Sequence, residues 1–180
     1  MRGWTGMDCK DLVLDGLSRV DENLRRHVRG LSVEQLLFRP SSEANSIGWI
    51  AWHLTRVQDD HISTLAGRPQ AWIDGGWAGR FGRAADADDT GYGHSAADVA
   101  AFRVSGAAVL LDYHAAVHQR TVEYVNEISC SEMDRVVDTN WNPPVTLGVR
   151  LVSVVDDCAQ HIGQIGYVRG LLPSSLLPKG

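Results

Sequence analysis

The sequence predicts an all-α protein, an antiparallel four-helix bundle with a long loop between its second and third helices. Three observations point there. Four segments repeat apolar residues at three- and four-residue steps, the period of a helix face. Three of the four open on residues that cap helices, and no strand–helix–strand alternation calls for a parallel sheet. Four such helices in 180 residues make one domain spanning 1–180.

The first helix runs from about Asp8 to Val28 on Leu12, Leu17, Val20, Leu24 and Val28. A short turn restarts at Ser32, with Gln35 three residues on as its capping-box partner, and Arg39-Pro40 stops it. The second helix opens at Asn45 or Ser46 and carries Ile47, Ile50, His53, Leu54, Val57 and His61 to Leu65. Gly67-Arg-Pro69 ends it. The connection from Gln70 to His94 is rich in Gly and Asp yet holds Trp72, Trp77, Phe81 and Tyr92. Its length predicts a lid or pocket wall rather than a bare loop. Ser95, with Asp98 three residues on, opens a third helix that runs unbroken through Phe102, Val104 and Ala107 to about Ile128. An irregular stretch with Trp141-Asn-Pro-Pro144 follows. Thr146 caps the fourth helix, which extends to Leu171, and the tail from Pro173 to Gly180 is expected to be extended.

Hydrophobic residues make up 44% of the chain and charged residues 22%, with a net charge of −5. That balance excludes an electrostatic footprint for nucleic acid or anionic lipid, and no apolar run reaches a membrane span. Met1 to Lys10 lacks the apolar stretch of a secretory signal. Cys9, Cys130 and Cys158 are widely spaced, which indicates neither a disulfide framework nor a thiolate metal site. A cytoplasmic location fits that usage.

Chemistry concentrates in two helices. Asp157 and His161 are four apart, so on a helix they stack on one face, about 5–6 Å between Cβ atoms. A carboxylate and an imidazole so placed can reach one ion, and His53, set among Trp49, Ile50, Trp52 and Leu54, is the natural third ligand from a facing helix. The same spacing also occurs as an ordinary surface hydrogen bond. Gln164, three after His161, can orient a ligand from behind, and Trp49, Trp52 and Trp141 can wall a pocket. His61, eight after His53, lies about 12 Å along the axis; it or Asp60 can line the pocket entrance. His114 and His118 repeat the four-residue spacing, but Tyr113, Arg120 and Glu123 beside them suggest a partly exposed, hydrogen-bonded face. Cys158 is turned about 100° from Asp157 and reads as a small buried residue.

Asn45-Ser-Ile-Gly-Trp-Ile-Ala-Trp-His53-Leu resembles the second-helix signature of the DinB/YfiT-like superfamily. Asp157-x-x-x-His161-Ile-Gly-Gln164-Ile-Gly-Tyr-Val-Arg169-Gly resembles its fourth-helix signature, with the two blocks in the same order and separation. The departure is Asp157, where the superfamily has His or Glu; its arm is one methylene shorter. The resemblance implies one divalent cation on His53, Asp157 and His161, with Zn²⁺ foremost and Ni²⁺, Mn²⁺ or Fe²⁺ as alternatives. Gln164 and Trp49 would serve the bound cofactor. The superfamily includes thiol-dependent S-transferases and a mycothiol-dependent maleylpyruvate isomerase, so a small-molecule substrate, a low-molecular-weight thiol such as mycothiol and a homodimer are further implications. Metal-assisted hydrolysis and a non-catalytic ligand-binding dimer stay open beside that reading.

Overall fold

The computed structural model describes residues 6–177, so Met1 to Thr5 and the end of the expected tail lie outside it. Asp8 starts the first helix, α1 (Cys9–Val28): its carboxylate accepts from the Lys10 and Asp11 amides while Asp11 returns a bond to the Asp8 amide. The same reciprocal box between Ser32 and Gln35 starts α2 (Val33–Leu37). Ser46 caps α3 (Ile47–Ala66), which Gly67 closes in the left-handed conformation. Two short helices, α4 (Ala71–Asp74) and α5 (Trp77–Arg80), occupy the long connection. After α6 (Ala96–Ala101) come α7 (Ala107–Glu127) and α8 (Leu147–Gly170). The protein is mostly helical.

Two departures from expectation are local. The third helix is broken: α6 ends at Ala101, and the chain is extended until α7 restarts after Gly106. In that gap Phe102 and Val104 are buried, and the Phe102 ring lies 5.5 Å from Trp52, so alternate residues of an extended segment feed the core where helical spacing was expected. The stretch before α8 also holds a small antiparallel ladder, β1 (Val136–Asp138) with β2 (Val145–Thr146). At the start of α1, Leu12 is 62% exposed, and the buried stripe is Leu17, Val20, Leu24 and Val28.

The four long helices pack side by side, α1 and α3 each against both α7 and α8. Their directions follow from residue pairs. Cys9 joins Cys130, just past α7, and Asp21 faces His114, so α1 and α7 run antiparallel. His53 opposes His161, and Cys158 reaches Leu54 and Gln58, with His61 and Arg150 sharing a cavity further along, so α3 and α8 also run antiparallel. A Cβ on Gly16 would meet Val155, and one on Gly166 would meet His27, so α1 and α8 are parallel. Thr55 meets His114 and Gln58 meets Thr121, so α3 and α7 are parallel too. The all-antiparallel expectation is therefore corrected in two of four pairs. The connection from α3 to α7 is long enough to return the chain to the end where α3 began.

Buried polar groups fasten that connection. Arg56 and Asp59 on α3 are fully buried and 3.5 Å apart. Arg56 donates to the Asp89 and Ala87 carbonyls (3.0 and 2.9 Å), to Gln70 Oε1 (2.9 Å) and to the Tyr113 hydroxyl (3.3 Å). Asp59 accepts from the Ala71 and Trp72 amides (2.9 and 2.8 Å) and from Tyr113 (2.8 Å). Burial and the Asp59 charge push the Tyr113 phenol well above its usual pKa, which keeps it a donor.

Cys9 and Cys130, separated by 121 residues, form a disulfide with Cα atoms 5.9 Å apart. The spacing of the cysteines indicated no disulfide framework, and this one bond forms because antiparallel α1 and α7 bring distant positions to one end. The cytoplasmic reading loses the support it drew from unpaired thiols. No described helix is long and apolar enough to cross a membrane.

Removing one partner of a buried ion pair leaves an uncompensated charge, so Asp59→Ala is expected to lower unfolding stability by about 3–5 kcal/mol, whereas Asp15→Ala, which breaks only the solvent-exposed Asp15–Arg19 pair, should cost far less. Urea midpoints that move equally in the two variants would count against the network. Closing so long a loop restricts the unfolded chain by about 4–5 kcal/mol in chain-entropy accounting. Reductant and Cys9→Ser should therefore lower the melting temperature by similar amounts, with no further drop when combined; an unchanged melt under reductant would contradict the pairing.

Candidate metal centre

His53 projects from α3 and is 8% exposed, with its ring stacked on Trp49 at 4.8 Å. Its Nδ1 donates to the Thr90 carbonyl at 2.6 Å. A carbonyl can only accept, so the proton sits on Nδ1 and Nε2 keeps its lone pair. Burial lowers the His53 pKa, against partial opposition from the Thr90 bond, which favours that neutral form. The loop can lie this close because residue 91 is glycine. A Cβ there would fall 2.9 Å from His53 Nδ1 and 2.9 Å from the Trp52 ring, and its φ of +89° suits glycine alone.

His161 approaches from α8, its ring centroid 4.8 Å from that of His53 and nearly perpendicular to it. Its Nδ1 donates to Gln164 Oε1 at 2.9 Å, which leaves Nε2 facing Asp157 Oδ1 at 3.6 Å. Burial alone would lower the His161 pKa; hydrogen bonding to Asp157 and Gln164 outweighs it and raises the pKa. The other Asp157 oxygen, Oδ2, is buried without a hydrogen-bond partner. The three residues nominated from sequence are thus brought together, two imidazoles beside a carboxylate whose Oδ1 faces His161 Nε2 and whose Oδ2 is buried without a partner. That donor set suits a divalent cation.

The three donors are spread more widely than a closed coordination sphere. Among the described residues, the one trio whose ligand atoms all fall within 4.8 Å of each other is Asp8, Cys9 and Cys130, and its two sulfurs are bonded together.

Residues 13–173 match the mycothiol-S-transferase family. The chain belongs to that family. Both DinB-like motifs fall inside the matched span, so the resemblance carried by residues 45–54 and 157–170 holds. A conserved protein from Enterococcus faecalis, known from its crystal structure, is 31% identical to this mycothiol-S-transferase family member. The match covers 92% of this chain and 98% of that one, with a TM-score of 0.85. No protein of curated function matches.

The remaining nominated residues take varied places in this family member. Gln164 is exposed and orients His161, while Trp49 backs His53 and donates from Nε1 to His94 Nδ1 at 3.2 Å. Trp52 is core, and Trp141 is 65% exposed instead of walling a pocket. Asp60 and His61 line a cavity of about 330 Å³ with Thr64, Asp138, Asn140 and Arg150. Sequence reasoning missed Arg56, Asp59, Thr90 and Gly91, because their roles are contacts with segments distant along the chain.

The expected exposed face at His114 is corrected. His114 is fully buried; its Nδ1 meets Thr55 Oγ1 at 3.2 Å and its Nε2 lies 3.8 Å from Asp21 Oδ1 without a hydrogen bond. Burial pushes its pKa down to about 4, with Asp21 opposing, and burial lowers His118 as well. Both are neutral in the folded protein near pH 7, whereas the unfolded chain takes up protons at the usual histidine pKa of about 6.5. Stability held above that pH is therefore lost as pH falls from about 6.5 towards about 4. His114→Gln should flatten that slope in urea titrations at stepped pH; a variant slope as steep as wild type would refute the assignment.

Proposed function

We propose that this protein is a metal-dependent S-transferase, built on a four-helix bundle, that uses a low-molecular-weight thiol such as mycothiol. His53, Asp157 and His161 would hold one divalent cation, Zn²⁺ foremost. The observation that carries the reading is the perpendicular pair of imidazoles from α3 and α8 beside Asp157, whose Oδ1 faces His161 Nε2 at 3.6 Å and whose Oδ2 is buried without a partner. A cation held there supplies the charge that lowers the pKa of a thiol bound to it.

The chain's own residues do the rest. Thr90 and Gln164 fix the two imidazole tautomers, and Trp49 and the Thr90–Gly91 segment exclude water from one side of His53. None of the three cysteines offers a thiolate: Cys9 and Cys130 are bonded together, and burial pushes the Cys158 thiol well up. The sulfur must then come from outside. The family match supports the same conclusion. Asp156, the nearest extra carboxylate in sequence, is exposed and bonded by Gln160, which leaves hydrolysis without an evident base beside the centre. A homodimer is part of the proposal, supported by exposed Leu12, Val149 and Val152 on neighbouring faces of α1 and α8.

Elemental analysis of the purified protein should show about one divalent ion per chain, lost in His161→Ala, and conjugation of a model electrophile should require both the metal and an added thiol. Equal metal content in wild type and variant would move the site elsewhere. Cleavage of esters or amides without any thiol would replace the transferase with a hydrolase.

A further inference from the structure

We propose that the cavity between α3, α8 and the β1–β2 hairpin seats the polyhydroxylated part of the thiol whose sulfur is presented to His53, Asp157 and His161. This rests on the thiol-transfer reading and gives that site a second half, one that recognises the sugar.

The placement follows from helix arithmetic. Asp60 and His61 lie seven and eight residues after His53 on α3, and Arg150 lies seven before Asp157 on α8. Because α3 and α8 run antiparallel, both offsets point to the same end of one groove. Seven residues rise about 10 Å. A thiol carrying two linked rings spans that distance, with its sulfur at one end and its hydroxyls at the other.

The lining fits a polyol. Asp60, His61, Thr64, Asp138, Asn140 and Arg150 border about 330 Å³, a volume suited to a small ligand. Arg150 donates to Asp138 Oδ2 at 2.7 Å, the Asn140 amide donates to Asp138 Oδ1 at 2.9 Å, and Asp60 Oδ1 accepts from Gln70 Nε2 at 2.8 Å. These bonds hold the side chains in place, while the carboxylates keep lone pairs and the guanidinium keeps donors for paired hydroxyls. Charge decides the class of ligand. Arg150 is already answered by Asp138, and Asp60 adds a second carboxylate, so a ligand bearing carboxylates or phosphate meets net repulsion. A neutral or cationic sugar does not. Leu65 and Val137 add apolar flanks on which a ring face can rest.

The test uses glucosaminyl-inositol, the thiol-free sugar portion of mycothiol, titrated calorimetrically into the purified full chain. Binding is expected, and it should weaken about tenfold in Asn140→Ala and in Arg150→Ala, the effect of losing one charge-assisted hydrogen bond. In conjugation assays the same variants should raise KM for mycothiol by a similar factor, with kcat unchanged and with the weaker reaction of free cysteine unaffected. Bacillithiol, whose malate carries two carboxylates, should have a higher KM than mycothiol. Sugar binding that is absent in wild type, or undiminished in both variants, overturns the proposal even if conjugation proceeds. Sugar binding as expected, with no thiol supporting conjugation, upholds the cavity and overturns the transferase reading alone.

Discussion

Arg56 and Asp59 sit one helical turn apart in the centre of α3, both sealed from solvent, and each can be there only because the other neutralises it. Their remaining hydrogen-bonding capacity is directed at the connection that follows α3. Asp59 accepts from the first amides of α4, Arg56 donates to the carbonyls of Ala87 and Asp89, and Tyr113 on α7 joins both charges. A segment rich in Gly and Asp, with little helix of its own, is thereby drawn over the upper part of α3. Trp72 completes the seal with its ring 4.8 Å from the Arg56 guanidinium.

The candidate centre inherits its geometry from that clamp. Thr90 is the residue after Asp89, so the carbonyl that holds His53 Nδ1 is placed by the bond Arg56 makes one residue earlier. Gly91 lets the chain pass against the His53 and Trp52 rings without a Cβ. Asp89 extends the same network outward through Arg83 and His94, and His94 accepts from Trp49, the ring on which His53 rests. A ligand-competent imidazole on α3 is thus a product of polar contacts made by a loop. On α8 the corresponding task falls to one local side chain, Gln164.

The crossover of the connection has a second consequence. It makes α3 and α7 parallel neighbours and leaves α3 and α8 as the antiparallel pair that carries the candidate centre. Along that pair the imidazoles and Asp157 occupy one level and the polar cavity the next, roofed by the small β1–β2 hairpin. Cys158, which faces Leu54 and Gln58 between them, is a packing residue with a suppressed thiol.

Amino-acid order by itself determined the helices whose information is local: the Ser32, Ser46, Ser95 and Thr146 caps, the Gly67 stop and the apolar stripe of α1. It also nominated the side chains of the candidate centre, since Asp157, His161 and Gln164 share one helix face through spacing alone, and His53 stands in a recognisable motif. Tertiary structure decided everything that depends on distant segments meeting. Periodicity could not distinguish the Phe102–Val104 segment from helix, because its two apolar residues are too few to fix a period. Nor could it show that Cys9 and Cys130 meet, that His114 is buried, or that α7 runs parallel to α3, since helix direction lies in the path of the connection. The imidazole tautomers were the last such decision: Thr90 is 37 residues from His53, and only the folded loop brings its carbonyl within hydrogen-bonding distance.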